Sequence, residues 1–204
     1  MAKSSLHSDV RTHILQTAQP IISGKGYSAV GLNEILQASG VPKGSFYHYF
    51  GSKDAFGQAL LEHYFEHYQL DLDALLQPPA MPAGHRLMQY WTRWLELEVN
   101  GDCKGRCLAV KLAAEVSDLS EAMRAVLQRG TQQIIARLAG CISEGLEDHS
   151  LPPLRLGHPE LTATTLYQLW LGASLRSKIT RNREPADAAM TATRRLLGLE
   201  PCPR

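Results

Sequence analysis

Three short stretches of the chain carry residue types at spacings that support chemistry. The first is Lys43-Gly44-Ser45-Phe46-Tyr47-His48-Tyr49-Phe50, followed by Ser52 and Lys53. Cations, phenols, an imidazole and a hydroxyl alternate there with two phenylalanines, a set that can meet phosphates and base edges. The second is Cys103 and Cys107, four residues apart, with Lys104, Arg106 and Lys111 close in sequence. A neighbouring cation favours the thiolate, which is the form that attacks electrophiles. The third is His63-Tyr64-Phe65-Glu66-His67, an H-x-x-E-H pattern. Two histidines one helical turn apart can grip a metal ion, with the glutamate as general base.

Each stretch has a plain alternative. A short amphipathic helix with two phenylalanines is also an ordinary core element with a polar face. A cysteine in an apolar helix is also a small buried hydrophobe. Two histidines also sit on the polar side of many helices, and the sequence offers no third ligand. Trp91, Trp94, Tyr167 and Trp170 would line a ligand pocket or fill a core. Arg176, Lys178, Arg181 and Arg183 gather where a helix ends, which suits its dipole. Gly24-Lys25-Gly26 is too short for a phosphate loop. No Ser/His/Asp arrangement is defensible, so the expectation is a non-enzyme without cofactor or metal.

The elements that must position these residues read as helices throughout, giving an all-α fold. Val10, Ile14, Ala18, Ile21 and Ile22 keep a helical period, with Gly24 and Gly26 expected to stop it. Leu32, Ile35 and Leu36 mark a short second helix ending at Ser39-Gly40, and Pro42 is placed to start a third. Two short helices joined by a tight glycine-containing turn match a helix-turn-helix, whose second helix enters the DNA major groove. At 100° per residue, Lys43, Gly44, Tyr47 and His48 share one arc. Phe46 and Phe50 fall on the other, with Tyr49 beside them and Ser45 at its margin. Gly44 permits close backbone approach, and Lys53 lies beside the free N–H groups that open the next helix.

That next helix is expected over 53–77, with Phe56, Leu60, Tyr64, Tyr68, Leu72 and Leu75 on its apolar face and Pro78, Pro79 and Pro82 ending it. Further helices are expected at 84–100, 104–117, 119–147, 158–182 and 186–197. Asp118 with Glu121 reads as a capping box, and Gly198 as a stop. The composition changes at these prolines, from an N-terminal helical cluster to a larger helical body; the division expected is a three-helix head at 1–52 and a body at 53–204, with 53–77 as the linking helix.

Length and charge narrow the class. The chain has 204 residues, 44% hydrophobic and 20% charged, with net charge +1, an ordinary composition for a globular protein of one or two domains. Up to residue 60 there are five basic and three acidic side chains, the sign expected of a module that meets an anion. Leu161 to Leu175 is the best membrane candidate and is too short to cross a bilayer. MAKSSLHSDV has no apolar signal core. The four cysteines, Cys103, Cys107, Cys141 and Cys202, form no dense framework. A reducing cytoplasm and no membrane partner are expected.

Gly31-Leu32-Asn33-Glu34-Ile35-Leu36, Ala38-Ser39-Gly40-Val41 and Lys43 to Phe50 with Ser52-Lys53 resemble the N-terminal signature of the TetR/AcrR transcriptional regulators. The resemblance implies an all-α homodimer with a DNA-binding head and a larger ligand-sensing and dimerisation body. It implies repression at palindromic double-stranded operator DNA, relieved by a small-molecule inducer. Lys43, Ser45, Tyr47, His48 and Lys53 would carry the DNA contacts, with Tyr49 a weaker one. The last two long helices would make the dimer interface, setting two recognition helices about 34–36 Å apart.

Gly105-Arg106-Cys107-Leu108-Ala109-Val110-Lys111-Leu112, Ala114 to Ser120, Leu169 to Ala173 and Lys178-Ile179 resemble an electrophile-responsive branch of that family. Its members sense reactive chlorine, quinones and reactive carbonyls. The likeness implies Cys107 as the sensing thiol and Lys178 as the amine that partners it. Cys103 is an additional thiol that could resolve a sulfenate at Cys107 as a disulfide. Ser117 stands where the branch carries another cysteine, while Cys141 and Cys202 read as incidental. The targets implied are reductases or other detoxifying enzymes. The alternatives are a sensor of a non-covalent hydrophobic ligand and a zinc hydrolase using His63, Glu66 and His67.

Overall fold

The structure is a computed structural model that describes residues 2–77, 80–99 and 108–199, and side chains over 9–77, 80–97, 108 and 111–199. The described residues form nine α-helices: α1 Ala2–Lys25, α2 Leu32–Ser39, α3 Lys43–Phe50, α4 Lys53–Leu76, α5 Ala83–Val99, α6 Leu108–Val116, α7 Glu121–Glu147, α8 Pro159–Thr180 and α9 Glu184–Leu196. No strand occurs among them. The all-α expectation holds, and the helical period places the described elements to within a few residues; positions 104–107 of the helix expected over 104–117 lie outside the described residues.

The chain divides into two compact units. The first holds α1–α3, α4 to His67, α6 and α7 to Gly130; the second holds the rest of α4, α5, the rest of α7, α8 and α9. The core of the first unit is built from Ile14, Leu15, Ala18 and Ile22 of α1, Ile35 of α2, Phe46 and Phe50 of α3, and Phe56 and Leu60 of α4. Phe46, Phe50 and Phe56 pack as a triad, with ring centroids 5.1–5.2 Å apart. That is the spacing of tilted and edge-on aromatic pairs, which add cohesion beyond the area they bury.

Caps explain most helix limits. α1 runs through Gly24 and ends at Lys25, because Gly26 takes φ +96°, a left-handed conformation that costs a glycine little. α2 ends in a left-handed Gly40 at φ +66°, where Val41 N–H reaches back to the carbonyl of Leu36 at 3.3 Å. This is the reversed-turn stop that lets a second helix start after only a few residues. Pro42 precedes α3 and its carbonyl accepts from Ser45 and Phe46. Gly198, at φ +73°, terminates α9 as expected, with Leu199 N–H donating to Arg194 O.

One expected cap is corrected. Asp118 and Glu121 do not form a capping box at α7. Ser120 caps the helix, its hydroxyl accepting from Met123 N–H at 3.3 Å, while the Glu121 carboxylate pairs with Arg124 at 2.5 Å. A guanidinium one turn along offers a carboxylate a stronger partner than a single backbone amide does.

In the second unit, Trp91, Trp94, Tyr167 and Trp170 form one packed cluster. Trp91 and Trp170 lie nearly parallel, with centroids 5.4 Å apart. Trp94 donates its indole N–H to Ser174, and Trp170 donates its own to Thr193. These contacts bring α5, α8 and α9 together. No described helix is long and apolar enough to cross a membrane.

Candidate nucleic-acid interface

α3 separates its residues into two faces, as the sequence arcs require. Phe46 is fully buried and Phe50 is 7% exposed. Lys43, Gly44, Tyr47 and His48 are exposed, and Ser45 and Tyr49 are half-buried. A face that buries two phenylalanine rings fixes the helix about its own axis. The opposite face therefore presents an ammonium, a phenol and an imidazole from one rigid element.

The exposed groups also brace one another. The Lys43 ammonium lies 5.9 Å from the Tyr47 ring centroid, and the Tyr47 ring meets Phe46 edge-on at 5.8 Å. His48 and Tyr49 make a similar edge contact at 5.3 Å. At Gly44 an added Cβ would meet nothing within 4 Å, so the backbone there is open to approach. The side of α3 toward α1 is closed by the Arg11 guanidinium, which lies 5.5 Å above the Phe50 ring.

Lys53 starts α4 and is half-buried. Its ammonium lies 3.3 Å from the Tyr27 carbonyl oxygen and 4.8 Å from the Tyr27 ring centroid. The Tyr27 hydroxyl in turn donates to the Lys53 carbonyl at 2.5 Å. Tyr27 ionises well above its ordinary range, because burial and the charges of Asp54 and Glu115 disfavour the phenolate. Ser52 caps α4, its hydroxyl accepting from Ala55 N–H. Tyr27 as a support for Lys53 left no mark in the residue pattern; 26 residues separate them.

The α1–α2 connection is held from α6. The Glu115 carboxylate accepts Tyr27 N–H at 3.1 Å and Ser28 N–H at 2.6 Å. Burial raises the pKa of this carboxyl, but the bonds from Ser28 and Tyr27 and the charge of Lys53 outweigh that effect and hold it below the ordinary value. One turn earlier, the Lys111 ammonium donates to the Gly24 carbonyl at 3.2 Å.

Of the residues read as sensing groups, Cys103 and Cys107 lie outside the described residues, as do Lys104, Arg106 and Cys202. Lys178 is half-buried in the last turn of α8, where Arg181 closes the helix at φ +53°. Cys141 is a free, buried thiol that donates to the Ala83 carbonyl at 3.4 Å. Burial pushes its pKa up to about 11.

The His63 and His67 rings sit on one helix face with centroids 4.1 Å apart, but His67 Nδ1 bonds to the His63 carbonyl of the same helix at 2.8 Å. Among the described residues, no group of three His, Cys, Asp or Glu side chains could hold a metal ion.

An all-helical chain whose short third helix buries two phenylalanines and presents a basic, aromatic face is built as a helix-turn-helix DNA-binding regulator. The family models agree. Residues 14–60 match the model for bacterial regulatory proteins of the tetR family, and residues 83–193 match that for the tetracyclin repressor-like C-terminal domain. The chain belongs to the TetR family: it is a DNA-binding transcriptional repressor and not an enzyme, which removes the zinc-hydrolase reading.

It is similar to the HTH-type transcriptional repressor NemR of Escherichia coli (strain K12), at 40% identity over 97% of this chain and 98% of that one. The crystal structure of the reduced form of E. coli NemR superposes with a TM-score of 0.86 and 41% identity, covering 93% of this chain and 97% of that chain. The repressor DhaR of a Mycobacterium species is 37% identical over 89% of each chain.

Proposed function

We propose that this repressor grips palindromic operator DNA through the exposed face of α3 and is released when an electrophile or oxidant modifies Cys107. The observation that carries the DNA half is the split of α3, which turns Lys43, Tyr47 and His48 away from a fully buried Phe46. In this reading Lys43, Ser45 and Lys53 hold phosphates, Tyr47 and His48 reach the groove, Gly44 admits close approach and Tyr49 contributes weakly. Residues 1–52 form the DNA-binding part, and 53–204 the sensing and dimerisation part linked through α4.

The sensing half rests on sequence and likeness. Cys107 immediately precedes α6 and stands among Lys104, Arg106 and Lys111, a setting that favours thiolate. The similarity to NemR spans nearly the whole chain. Cys103 is then the second thiol and Lys178 the amine available to the modified cysteine.

Dimerisation fits α8. Leu161, Leu175 and Ile179 are 51%, 54% and 64% exposed. With the open Gly172 they line one side of the helix, an apolar strip that a second copy would cover. The protein is read as cytoplasmic, with its inducer and operator DNA as partners. Sedimentation showing only monomer, with and without DNA, would refute the dimer.

A non-covalent inducer is the second reading, and two observations favour it. The buried Trp91 indole N–H and both amide atoms of the buried Gln69 have no hydrogen-bond partner in the protein. Buried polar groups without partners are costly, and a ligand that reached either residue would satisfy it.

The deciding experiment follows the anisotropy of a labelled duplex from upstream of the chain's own gene, before and after a thiol-reactive electrophile. Binding that is lost on treatment, and retained on treatment in a folded Cys107→Ser protein, is the expected result. Full electrophile response in Cys107→Ser would overturn the Cys107 assignment.

A further inference from the structure

We propose that Glu115 is a positioning residue for DNA binding, acting from α6 through Tyr27 on Lys53. The inference rests on reading Lys53 as a phosphate contact. Its substance is a side-chain relay within one compact unit, in which each link is a short directional contact.

The first link is the carboxylate of Glu115 on the N–H groups of Tyr27 and Ser28. Those two amides open the α1–α2 connection and have no helical acceptor, so the carboxylate fixes where Tyr27 begins. The approach depends on Gly26. A Cβ there would lie 3.2 Å from Glu115 Oε2, and φ of +96° already disfavours any other residue.

The second link is Tyr27 to Lys53. The Tyr27 carbonyl and ring hold the Lys53 ammonium, and the Tyr27 hydroxyl holds the Lys53 carbonyl. Tyr27 therefore grips Lys53 at both ends. The phenol reaches the first turn of α4 only because residue 57 is glycine, where a Cβ would stand 2.7 Å from the Tyr27 hydroxyl oxygen. A flexible lysine held at its stem and its head loses less freedom on meeting a phosphate.

The relay makes α6 part of the DNA-binding apparatus. Leu108 to Glu115 spans about two helical turns, so a shift of α6 along its axis would carry the carboxylate with it. Lys111, on the same face, holds the Gly24 carbonyl that closes α1. Thus α6 grips the connection on both sides of Gly26.

The test measures affinity for the labelled upstream duplex between 50 and 200 mM salt, for wild type, Glu115→Ala, Glu115→Gln, Lys53→Gln and the Glu115→Ala/Lys53→Gln pair; these salt limits are about those over which phosphate contacts separate. Glu115→Ala is expected to lose about tenfold in affinity and about 0.9 in the log–log salt slope, the signature of one lost phosphate contact. Lys53→Gln is expected to do the same, and the double variant to be no weaker than Lys53→Gln alone. Glu115→Gln, which keeps an acceptor, is expected to recover part of the loss.

Additive losses, or an unchanged salt slope in Glu115→Ala, would overturn the relay while leaving Lys53 a contact. An unchanged slope in Lys53→Gln would overturn both, because the phosphate reading itself would fall. Melting temperature is read in parallel. Should Glu115→Ala not fold, Tyr27→Phe, which removes only the hydroxyl on the Lys53 carbonyl, must show the same reduced slope or the relay is rejected.

Discussion

Arg86 is buried to 8% side-chain exposure, and its guanidinium meets Glu144 at 2.7 Å, while Glu144 itself remains 57% exposed. The pair is lopsided: one charge is inside and the other is in water. The guanidinium is satisfied mainly by backbone, donating from Nε to the Met81 carbonyl and from a terminal nitrogen to the Leu76 carbonyl. It thus closes the end of α4 against the start of α5. Arg86→Leu is expected to destabilise by about 2–4 kcal/mol, because two inward carbonyls each lose a partner at roughly 1–3 kcal/mol. Glu144→Gln is expected to cost less than about 1 kcal/mol, as an exposed partner of an ion pair does. Urea unfolding of both variants checks the order; an equal cost would contradict it.

Lys43 is expected to contribute to affinity without contributing to sequence choice. Lys43→Gln should weaken binding to specific and unrelated duplexes by a similar factor and lower the salt slope by about 0.9. His48→Ala should instead reduce discrimination between the upstream duplex and an unrelated one. Competition titrations at two salt concentrations separate the two behaviours.

Two glycines of α7 should respond to alanine in opposite directions. A Cβ at Gly130 would lie 2.4 Å from the Phe65 ring, whereas at Gly140 it would meet nothing within 4 Å. Gly140→Ala should stabilise by about 0.5–1 kcal/mol, the ordinary helix preference. Gly130→Ala should destabilise by about 1–3 kcal/mol despite the same preference, since overpacking exceeds it. Thermal melts of the pair decide the matter, and a rise in both would mean Phe65 moves aside freely.

His63 should make the protein less stable in mild acid. Its pKa is lowered from 6.5 by burial first, then by the nearby His67 and Arg11, with Glu66 opposing. A histidine that is harder to protonate folded than unfolded costs nothing at high pH. As pH falls through 6.5, the unfolded chain takes up the proton first and stability drops until the folded pKa is passed. Melting temperature is therefore expected to fall between pH 7.5 and 5.5, and to fall less in His63→Gln; these limits bracket the ordinary pKa of about 6.5. Parallel curves for the two proteins would exclude His63 as the source.

Cys141 should be silent toward electrophiles in the folded protein. Its thiol has a pKa of about 11 and is buried against the Ala83 carbonyl. Peptide mass mapping after brief iodoacetamide treatment at neutral pH is expected to find it unmodified, and fully modified after urea. Early labelling at Cys141 would break the assignment of reactivity to Cys107.

The helices and the two faces of α3 were legible because both rest on periodicity, and Phe46 and Phe50 announce the buried face unaided. The limits of α2 and α9 were legible from Gly40 and Gly198. What stayed hidden were contacts between side chains and distant backbone, which leave no pattern. Glu115 and Ser28 are 87 residues apart, and nothing in either neighbourhood marks the other. Arg86 reads as an ordinary surface arginine until the carbonyls of Leu76 and Met81 are placed around it. The Asp118–Glu121 motif has the right spacing for a cap, but Arg124 competes for the same carboxylate. Cys103 and Cys107 remain assignments of sequence and likeness.

The unit that carries α3 also draws on α6 and on α7 as far as Gly130. Consider a graft that joins the first residues of one regulator to the remainder of another. Cut at residue 52, such a chimaera would inherit a Tyr27 with a foreign Glu115, and a foreign residue 57 where a Cβ would crowd its phenol. A graft that keeps its own affinity must carry the α6–α7 stretch along with the N-terminal segment, as two pieces of one part.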